Sequence, residues 1–194
     1  MLPKRVHLVA GLGNPGDAYK KTRHNTGFVV LDEVAKAFSI SVDKRKFDVV
    51  FGRGVMENVD VILAKPQAFM NRSGPPLRRL ADYFKILSKD MLIVHDDIDL
   101  TFGRIKIKEK GGHGGHKGIK SLIGAFGSGD FARIRLGVGR SEALSVTDHV
   151  LGRFGLEEKA IQDQTIIRAR DAVVSFFIDG IKACMNRFNK KMNN

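Results

Sequence analysis

The 194 residues suffice for one well-buried core and are few for two, so we expect a single domain. A formal charge of +12, from 33 Lys and Arg against 21 Asp and Glu, predicts attraction to a polyanion, either nucleic acid or an acidic membrane surface. The sequence excludes a membrane-spanning protein, because no apolar run reaches the roughly 18 residues of a spanning helix, and residues 6–12 are too short a stretch for a secretory signal. We expect a cytoplasmic protein whose single cysteine, Cys184, is a buried thiol without a catalytic role.

The first half of the chain alternates predicted strands and helices. An apolar run over residues 6–10 predicts a buried strand that ends in the loop Gly-Leu-Gly-Asn-Pro-Gly, and apolar residues at helical spacing over residues 28–38 predict the next helix. Residues 48–55 and 59–64 are typical of a strand pair that Pro66 stops. This order of elements favours an α/β fold.

A second helix and a further strand follow in the middle of the chain. The helix is expected after Pro76, with Ser73 as its N-terminal capping residue. Residues 91–94 predict a buried strand, and one histidine and three aspartates follow it within residues 95–99. Because open α/β sheets place ligand sites at the carboxyl ends of their strands, this cluster is a candidate functional site.

Two later segments predict strands that each have one basic face. Basic residues occupy every second position over residues 104–110, so they share a face that cannot be core. Residues 133–138 repeat the pattern, with Arg133 and Arg135 on one side and apolar packing on the other. Both basic faces are therefore expected to be exposed.

The last part of the chain completes the predicted domain. Apolar positions at largely helical spacing over residues 156–188 predict helical cover for the sheet, while residues 189–194 have nothing to bury and are expected to fray. Taken together, the elements predict one α/β domain over residues 1–188, built on a mixed β-sheet flanked by helices.

The loop after the first strand allows two interpretations. Gly11, Gly13 and Gly16 have the spacing of a dinucleotide-binding loop, so a nicotinamide or flavin enzyme is one hypothesis. Pro15 and the polar and basic residues after it do not open an apolar helix, which that motif requires. A turn that positions Asn14 explains the glycines as well, and we favour it.

Histidines and carboxylates supply the candidate chemistry. His24 lies in a segment without apolar periodicity, and an imidazole pKa of about 6.5 suits a general base near neutrality, although a surface histidine is the plainer alternative. The acidic cluster of residues 95–99 could bind a metal together with His113 and His116. No second group of ligands is spaced for a divalent ion, so a carboxylate that orients a histidine is favoured.

The glycine-rich segment at residues 111–118 precedes a predicted helix. It offers backbone N–H groups and a helix N-terminus to an anion. Four glycines in six residues cost considerable folding entropy, and close approach of a ligand to the backbone is one reason to tolerate that cost. We expect a phosphate or ribose there, and a mobile surface turn is the alternative.

Five motifs together resemble the bacterial peptidyl-tRNA hydrolase family. They are GLGNPG at residues 11–16, TRHNTG at 22–27, FMNRSG at 69–74, HDDIDL at 95–100 and GGHGGHKG at 111–118. The motifs occur in the family's order and span nearly the whole chain, which makes the set far more specific than any single member.

The resemblance implies both a fold and a reaction. The fold would be a twisted mixed sheet flanked by helices, and the reaction would be hydrolysis of the ester between a peptide and the 3′ ribose of tRNA, which recycles prematurely released peptidyl-tRNA. Water would be the nucleophile, His24 the general base and Asp96 its orienting acid. The resemblance implies no metal and no cofactor, a monomer that needs no protein partner, and contacts to the acceptor stem and 3′ end of tRNA.

The resemblance also assigns residues that contact the substrate. Asn14 and Asn71 would hold substrate groups, with Asn71 as the donor to the developing oxyanion, although its motif alone would indicate only a turn or a cap. Lys108 and Arg135 would clamp the 5′-terminal phosphate of tRNA. The remaining expected contacts to the peptide or the tRNA 3′ end are Tyr19, Asn25, Phe69, Met70, His116 and Lys117.

Lys117 departs from the pattern, because most family members carry asparagine after Gly-Gly-His. The asparagine helps to anchor the water and the terminal adenosine, so a cation in its place predicts slower turnover, and the ammonium could bind a 3′-end phosphate instead. A non-catalytic RNA-binding protein on the same scaffold is the main alternative function, and the presence of His24 and Asp96 argues against it.

Overall fold

In the computed structural model, which describes residues 5–190, seven strands form one sheet. They are β1 (Val6–Gly11), β2 (Lys44–Lys46), β3 (Val49–Met56), β4 (Val59–Pro66), β5 (Met91–Asp97), β6 (Ile105–Lys108) and β7 (Ala132–Gly137). Their order across the sheet is β2-β3-β4-β1-β5-β7-β6. The central strands β4, β1, β5 and β7 pair in parallel, whereas the β2–β3, β3–β4 and β6–β7 pairs are antiparallel. The predicted mixed sheet is confirmed.

Helices cover both faces of this sheet. They are α1 (Thr26–Ala37), α2 (Gly74–Tyr83), α3 (Lys117–Phe126), α4 (Val146–Leu151), α5 (Lys159–Ile178) and α6 (Gly180–Phe188). One hydrophobic core lies between the sheet and helices α1, α5 and α6, and a second lies between the sheet and helices α2 and α3. Strand β1 serves both cores, because alternate side chains of a strand point to opposite faces.

The loop after β1 is held close to α1 by its glycines. A side chain at Gly11 would overlap the carbonyl group of Gly27, and one at Gly13 would meet the ring of Phe28. Helix α1 begins at Thr26, well after the loop, so the glycine loop does not lead directly into an α-helix as a dinucleotide-binding loop does. Close packing is therefore the physical reason for these two glycines.

The predicted start of the second helix was wrong by a few residues. Helix α2 begins at Gly74 and carries both prolines in its first turn, where the missing N–H groups cost nothing. Ser73 is not a side-chain cap, because its hydroxyl donates to the carbonyl oxygen of Met70 at 2.9 Å. That bond closes the turn before the helix instead.

The predicted basic faces were only half right. Lys106 and Lys108 on β6 are exposed, as expected. On β7, Arg135 is half-buried and Arg133 is almost completely buried. The prediction failed at Arg133 because residues 111–116 fold back over that face of the sheet and their carbonyl groups surround its guanidinium.

The helical cover at the end of the chain has a break. Gly180, with a φ of 79°, separates α5 from α6, because such a left-handed backbone interrupts a helix and suits glycine. Asn189 was predicted to fray, yet its side chain bonds both to the backbone N–H of Ile107 at 2.6 Å and to its carbonyl group at 3.1 Å. Residues 191–194 of the predicted tail lie outside the described part. Within residues 5–190, no helix has the length and apolarity needed to cross a membrane.

Candidate active site

A cleft of about 570 Å³ lies at the carboxyl ends of β1 and β5. The parallel strands of the sheet centre deliver their loops to this edge, as expected for an open α/β sheet. Nine of the residues predicted from the sequence line the cleft: Asn14, Tyr19, His24, Phe69, Met70, Asn71, Asp96, His116 and Lys117. The five motifs, which are far apart in the sequence, thus converge on one site.

His24 and Asp96 form a hydrogen-bonded pair at the floor of the cleft. The Nδ1 atom of His24 lies 2.9 Å from both carboxylate oxygens of Asp96. A carboxylate only accepts hydrogen bonds, so Nδ1 carries the proton and Nε2 keeps its lone pair. The Nε2 atom has no hydrogen-bond partner within residues 5–190, and it is the atom that a general base would use.

His116 binds the same carboxylate from the other side. Its Nδ1 accepts hydrogen bonds from the backbone N–H groups of Gly118 at 3.1 Å and Ile119 at 3.2 Å, and thereby caps α3. The proton of the neutral ring must then reside on Nε2, which donates to Oδ1 of Asp96 at 3.0 Å. Asp96 therefore accepts from two imidazoles, and the backbone of α3 fixes the tautomer of His116.

The electrostatics of this cluster keep Asp96 ionised. Burial by itself would raise the pKa of the carboxyl, but the electrostatic attraction of the His24 and His116 rings and their hydrogen bonds outweigh burial and hold the pKa of Asp96 well below its usual range. A permanent negative charge beside Nδ1 of His24 would stabilise an imidazolium if Nε2 accepted a proton.

His95 is a buried imidazole behind the cluster. Its Nδ1 donates to the backbone carbonyl group of Asp96 at 2.7 Å, and its ring meets that of His116 edge-on at 4.7 Å between centroids. Burial, together with the electrostatic repulsion between two protonated rings at His95 and His116, lowers the pKa of His95 well below its ordinary value. Its Nε2 is buried without a partner among the described residues, so His95 is a neutral packing element of the floor.

Asn14 is fixed in one orientation. Its amide oxygen accepts from the backbone N–H of Met70 at 2.7 Å, which leaves the NH2 group of Asn14 as the part available to a substrate in the cleft. Asn25 was also expected to contact substrate, and that contact stays a prediction. It is buried outside the cleft lining, and its amide accepts from the Asn14 N–H and donates to the Asn14 carbonyl, both at 2.9 Å. Asn25 therefore supports Asn14.

Arg23 anchors the turn that carries His24. The guanidinium of Arg23 donates to the carbonyl group of Arg153 at 2.6 Å and to the carboxylate of Glu158 at 2.8 Å. It also lies over the ring of Phe154, 4.9 Å from the centroid. These contacts tie the 3-10 turn Arg23–Asn25 to the segment between α4 and α5.

Exposed side chains form the rim. Phe69 is 54% exposed and meets the ring of Tyr19 edge-on at 6.2 Å between centroids. Asn71 lies in the adjoining 3-10 turn, and neither its side chain nor that of Lys117 has a hydrogen-bond partner within residues 5–190. The rim thus offers a carboxamide, a cation and two aromatic rings to a ligand.

The chain is similar in sequence to a known family of proteins over nearly its whole length. A family model described as Peptidyl-tRNA hydrolase matches residues 8–194. The chain belongs to the peptidyl-tRNA hydrolase family. A peptidyl-tRNA hydrolase of Caldanaerobacter subterraneus subsp. tengcongensis is 44% identical over 184 residues, which cover 95% of this chain and 100% of that protein. One of Clostridium novyi is 41% identical over 184 residues, which cover 95% of this chain and 98% of that protein.

A solved structure of the peptidyl-tRNA hydrolase family shares the fold. The crystal structure of peptidyl-tRNA hydrolase from Acinetobacter baumannii matches with a TM-score of 0.89 and 35% sequence identity. The match covers 95% of this chain and 94% of that chain. The predicted family, the α/β fold and the assignment to an enzyme family are therefore confirmed.

Two residues that the peptidyl-tRNA hydrolase resemblance assigns to a phosphate clamp lie outside the cleft lining. Lys108 is exposed on β6, and Nε of Arg135 donates to the carboxylate of Asp97 at 2.6 Å. The register pairs Lys108 with Arg133 and Lys106 with Arg135, so all four cations stand on one face of the sheet. Lys108 and Arg135 are diagonal neighbours there, and the clamp stays a prediction.

The residues that could bind a metal in the structure differ from those expected from the sequence. Of the acidic cluster, Asp97 pairs with Arg135 and Asp99 with Arg140 at 2.6 Å, so these carboxylates do not converge with His113. The described residues that could hold a metal are His24, Asp96 and His116, whose ligand atoms lie within 4.8 Å of one another. Their spacings of 2.9–3.0 Å suit hydrogen bonds.

One wall of the peptidyl-tRNA hydrolase cleft was not predicted from the sequence. It is formed by α4, by the residue after β5 and by a residue after β7; these additional lining residues are Ile98, Arg140, Val146, Thr147, Val150 and Leu151. Helix α4 has only six residues, which is too short to display a helical period. Val146 is 51% exposed in the folded chain, and the sequence carries no signal of that exposure.

Proposed function

We propose that this chain hydrolyses the ester bond that joins a peptide to the 3′ ribose of tRNA, with His24 as the general base. The observation that carries the proposal is the bond from Nδ1 of His24 to Asp96, which leaves the lone pair of Nε2 for a water molecule. The peptidyl-tRNA hydrolases to which this chain is similar carry that activity in their name.

In the proposed reaction, water is the nucleophile. Nε2 of His24 takes one proton from the water as its oxygen attacks the ester carbonyl carbon, and Asp96 stabilises the resulting imidazolium. The tetrahedral intermediate then collapses, the bond to the ribose oxygen breaks, and the imidazolium returns its proton to that oxygen. The products are a peptide carboxylic acid, which releases the second water proton to solvent and becomes a carboxylate, and tRNA with a free 3′-hydroxyl group. General base catalysis of this kind contributes about 10²- to 10⁴-fold.

Two asparagines complete the proposed site. Asn71, whose carboxamide is unpaired on the rim, donates to the oxyanion of the intermediate, an interaction typically worth about 10²- to 10³-fold in kcat. Asn14, with its oxygen held by Met70, directs its NH2 group to an acceptor of the substrate. Phe69 and Tyr19 supply apolar surface for the peptide or the terminal adenosine.

Recognition of the tRNA body rests on charge. Lys108 and Arg135 bind the 5′-terminal phosphate, which positions the acceptor stem without reading base sequence and suits an enzyme that accepts many tRNAs. The net charge of +12 assists the approach of the polyanion. All of the proposed groups come from one chain, so we propose a monomer that recycles prematurely released peptidyl-tRNA in the cytoplasm.

The test compares the unaltered protein with His24→Ala in the release of N-acetylated amino acid from acetyl-aminoacyl-tRNA, with EDTA present. We expect His24→Ala to lower kcat by about 10²- to 10⁴-fold. His7→Gln is the matched control, since His7 lies on β1 outside the cleft lining and this variant should retain full kcat.

Each contrary outcome identifies another function. Binding of tRNA by the unaltered protein without cleavage would indicate a non-catalytic RNA-binding protein. Loss of activity in EDTA, restored by a divalent ion, would indicate a metal-dependent hydrolase at His24, Asp96 and His116.

A further inference from the structure

Arg133 is a buried cation that the proposed reaction does not use. It is 3% exposed, and its Nη1 donates to the carbonyl group of Gly112 at 2.6 Å, while Nη2 donates to the carbonyl groups of Gly111 and, at 3.3 Å, Gly129. Its guanidinium also lies over the ring of Phe131, 4.6 Å from the centroid. A planar guanidinium can serve several carbonyl groups at once, which a lysine ammonium on a flexible stem cannot do in the same geometry.

The segment that Arg133 holds has little else to fix its start. Residues 111–116 lie between β6 and α3. Among the described residues, the start of this segment has one other hydrogen bond to the body of the domain, from the Gly111 N–H to the Gly129 carbonyl group at 3.2 Å. Side chains added at Gly114 or Gly115 would meet nothing within 4 Å. Glycines lose the most conformational entropy on folding, so such a segment needs an external anchor.

The end of the same segment carries two residues of the site. His116 donates to Asp96, and Lys117 lies on the rim of the cleft. We propose that Arg133 is a positioning residue, which presets the glycine segment so that His116 meets Asp96 and Lys117 faces the substrate. This inference rests on the proposed function. It gives Arg133 a role different from that of Arg135, which lies two residues further along the same strand face.

Because both arginines carry one positive charge on β7, Arg133→Gln and Arg135→Gln form a matched pair. Arg135→Gln should raise KM and lower the slope of log KM against log salt by about one, since a phosphate contact is lost. Arg133→Gln should leave that slope unchanged and lower kcat about ten- to a hundredfold through misplacement of the cluster. Arg133→Lys should keep the low kcat, because it restores the charge but not the planar fork.

Amide hydrogen exchange of the free protein provides the readout that does not depend on activity. In Arg133→Lys, amides of residues 111–116 should exchange at least about tenfold faster, while those of β1 and β5 keep their protection. A reduced salt slope in Arg133→Gln, unchanged exchange in the segment, or faster exchange throughout the sheet would each overturn the proposal. Lack of cleavage by the unaltered protein would refute the proposed function, and the exchange experiment would still test the anchor.

Discussion

The floor of the cleft is formed by His24, Asp96 and His116, which are largely buried and joined to one another by hydrogen bonds of 2.9–3.0 Å. The rim residues Asn71 and Lys117 are exposed, and their side chains have no hydrogen-bond partner within residues 5–190. Catalytic electrostatics work best when they are set before the substrate arrives, whereas binding groups gain their partners from the substrate itself. Changes to the floor should therefore act on kcat, and changes to the rim should act more weakly on both kcat and KM.

Asp96→Asn should lower kcat about as strongly as the removal of His24 itself. An asparagine offers one oxygen where two imidazole N–H groups now converge, and its NH2 group would favour the wrong tautomer of His24. By analogy with the loss of an orienting carboxylate in other hydrolytic sites, kcat should fall about 10³- to 10⁴-fold with little change in KM. Single-turnover kinetics of the release of N-acetylated amino acid from tRNA measure this fall in the rate of cleavage.

The same substitution at the neighbouring Asp97, in the same strand, should have a much smaller effect on kcat. Asp97 holds Arg135 and has no bond to either histidine of the floor. Asp97→Asn should keep kcat within about twofold and change mainly KM. Equal losses of kcat in the two variants would remove the distinction between floor and rim.

The buried His95 behind the floor should make the free energy of unfolding depend on pH. Its folded-state pKa lies below the unfolded value, so the unfolded chain binds the additional proton as the pH falls below about 6.5, and stability decreases with it. One proton contributes at most about 1.4 kcal/mol per pH unit. His95→Asn retains a donor for the Asp96 carbonyl group and removes this titration.

Urea unfolding at pH 7.5 and at pH 5.5 measures the difference. The unaltered protein should lose more free energy of unfolding between the two values than His95→Asn loses. Equal losses would show that His95 does not remain neutral in the folded state.

The sequence predicted the floor better than the surroundings of the cleft. The period-two and period-3.6 patterns identified most of the central strands and helices, and the strand before Asp96 placed that carboxylate at the carboxyl edge. The pairing of Asp96 with His24 came from the family resemblance, because residues 72 positions apart are joined only by the fold. The capping role of His116 on α3 was not anticipated.

The remaining differences between prediction and structure arise from long-range contacts. Alternation placed Arg133 on the correct face of β7, but alternation along one strand cannot show that a glycine segment covers that face. Asn25 was assigned to the substrate from its motif, and the motif does not show that its amide bonds both the N–H and the carbonyl group of Asn14. Both cases concern which partner a polar group finds, and a local pattern does not contain that information.

Lys117→Asn should have the smallest effect and tests the rim. Lys117 is the first residue of α3 and lies in the cleft lining beside His116, where a carboxamide could both donate to and accept from the attacking water. An ammonium can only donate, so the substitution should raise kcat about two- to fivefold. The loss of a cation near the tRNA 3′ end should raise KM by a similar factor.

Lys120→Asn is the control for this change, because it removes the same charge from an exposed position one turn further along α3 and outside the cleft lining. It should leave kcat unchanged. Steady-state kinetics with acetyl-aminoacyl-tRNA at fixed ionic strength measure both variants. If Lys117→Asn leaves both kcat and KM unchanged, the side chain does not reach the water or the tRNA, and the rim then contributes through Asn71 and the aromatic pair alone.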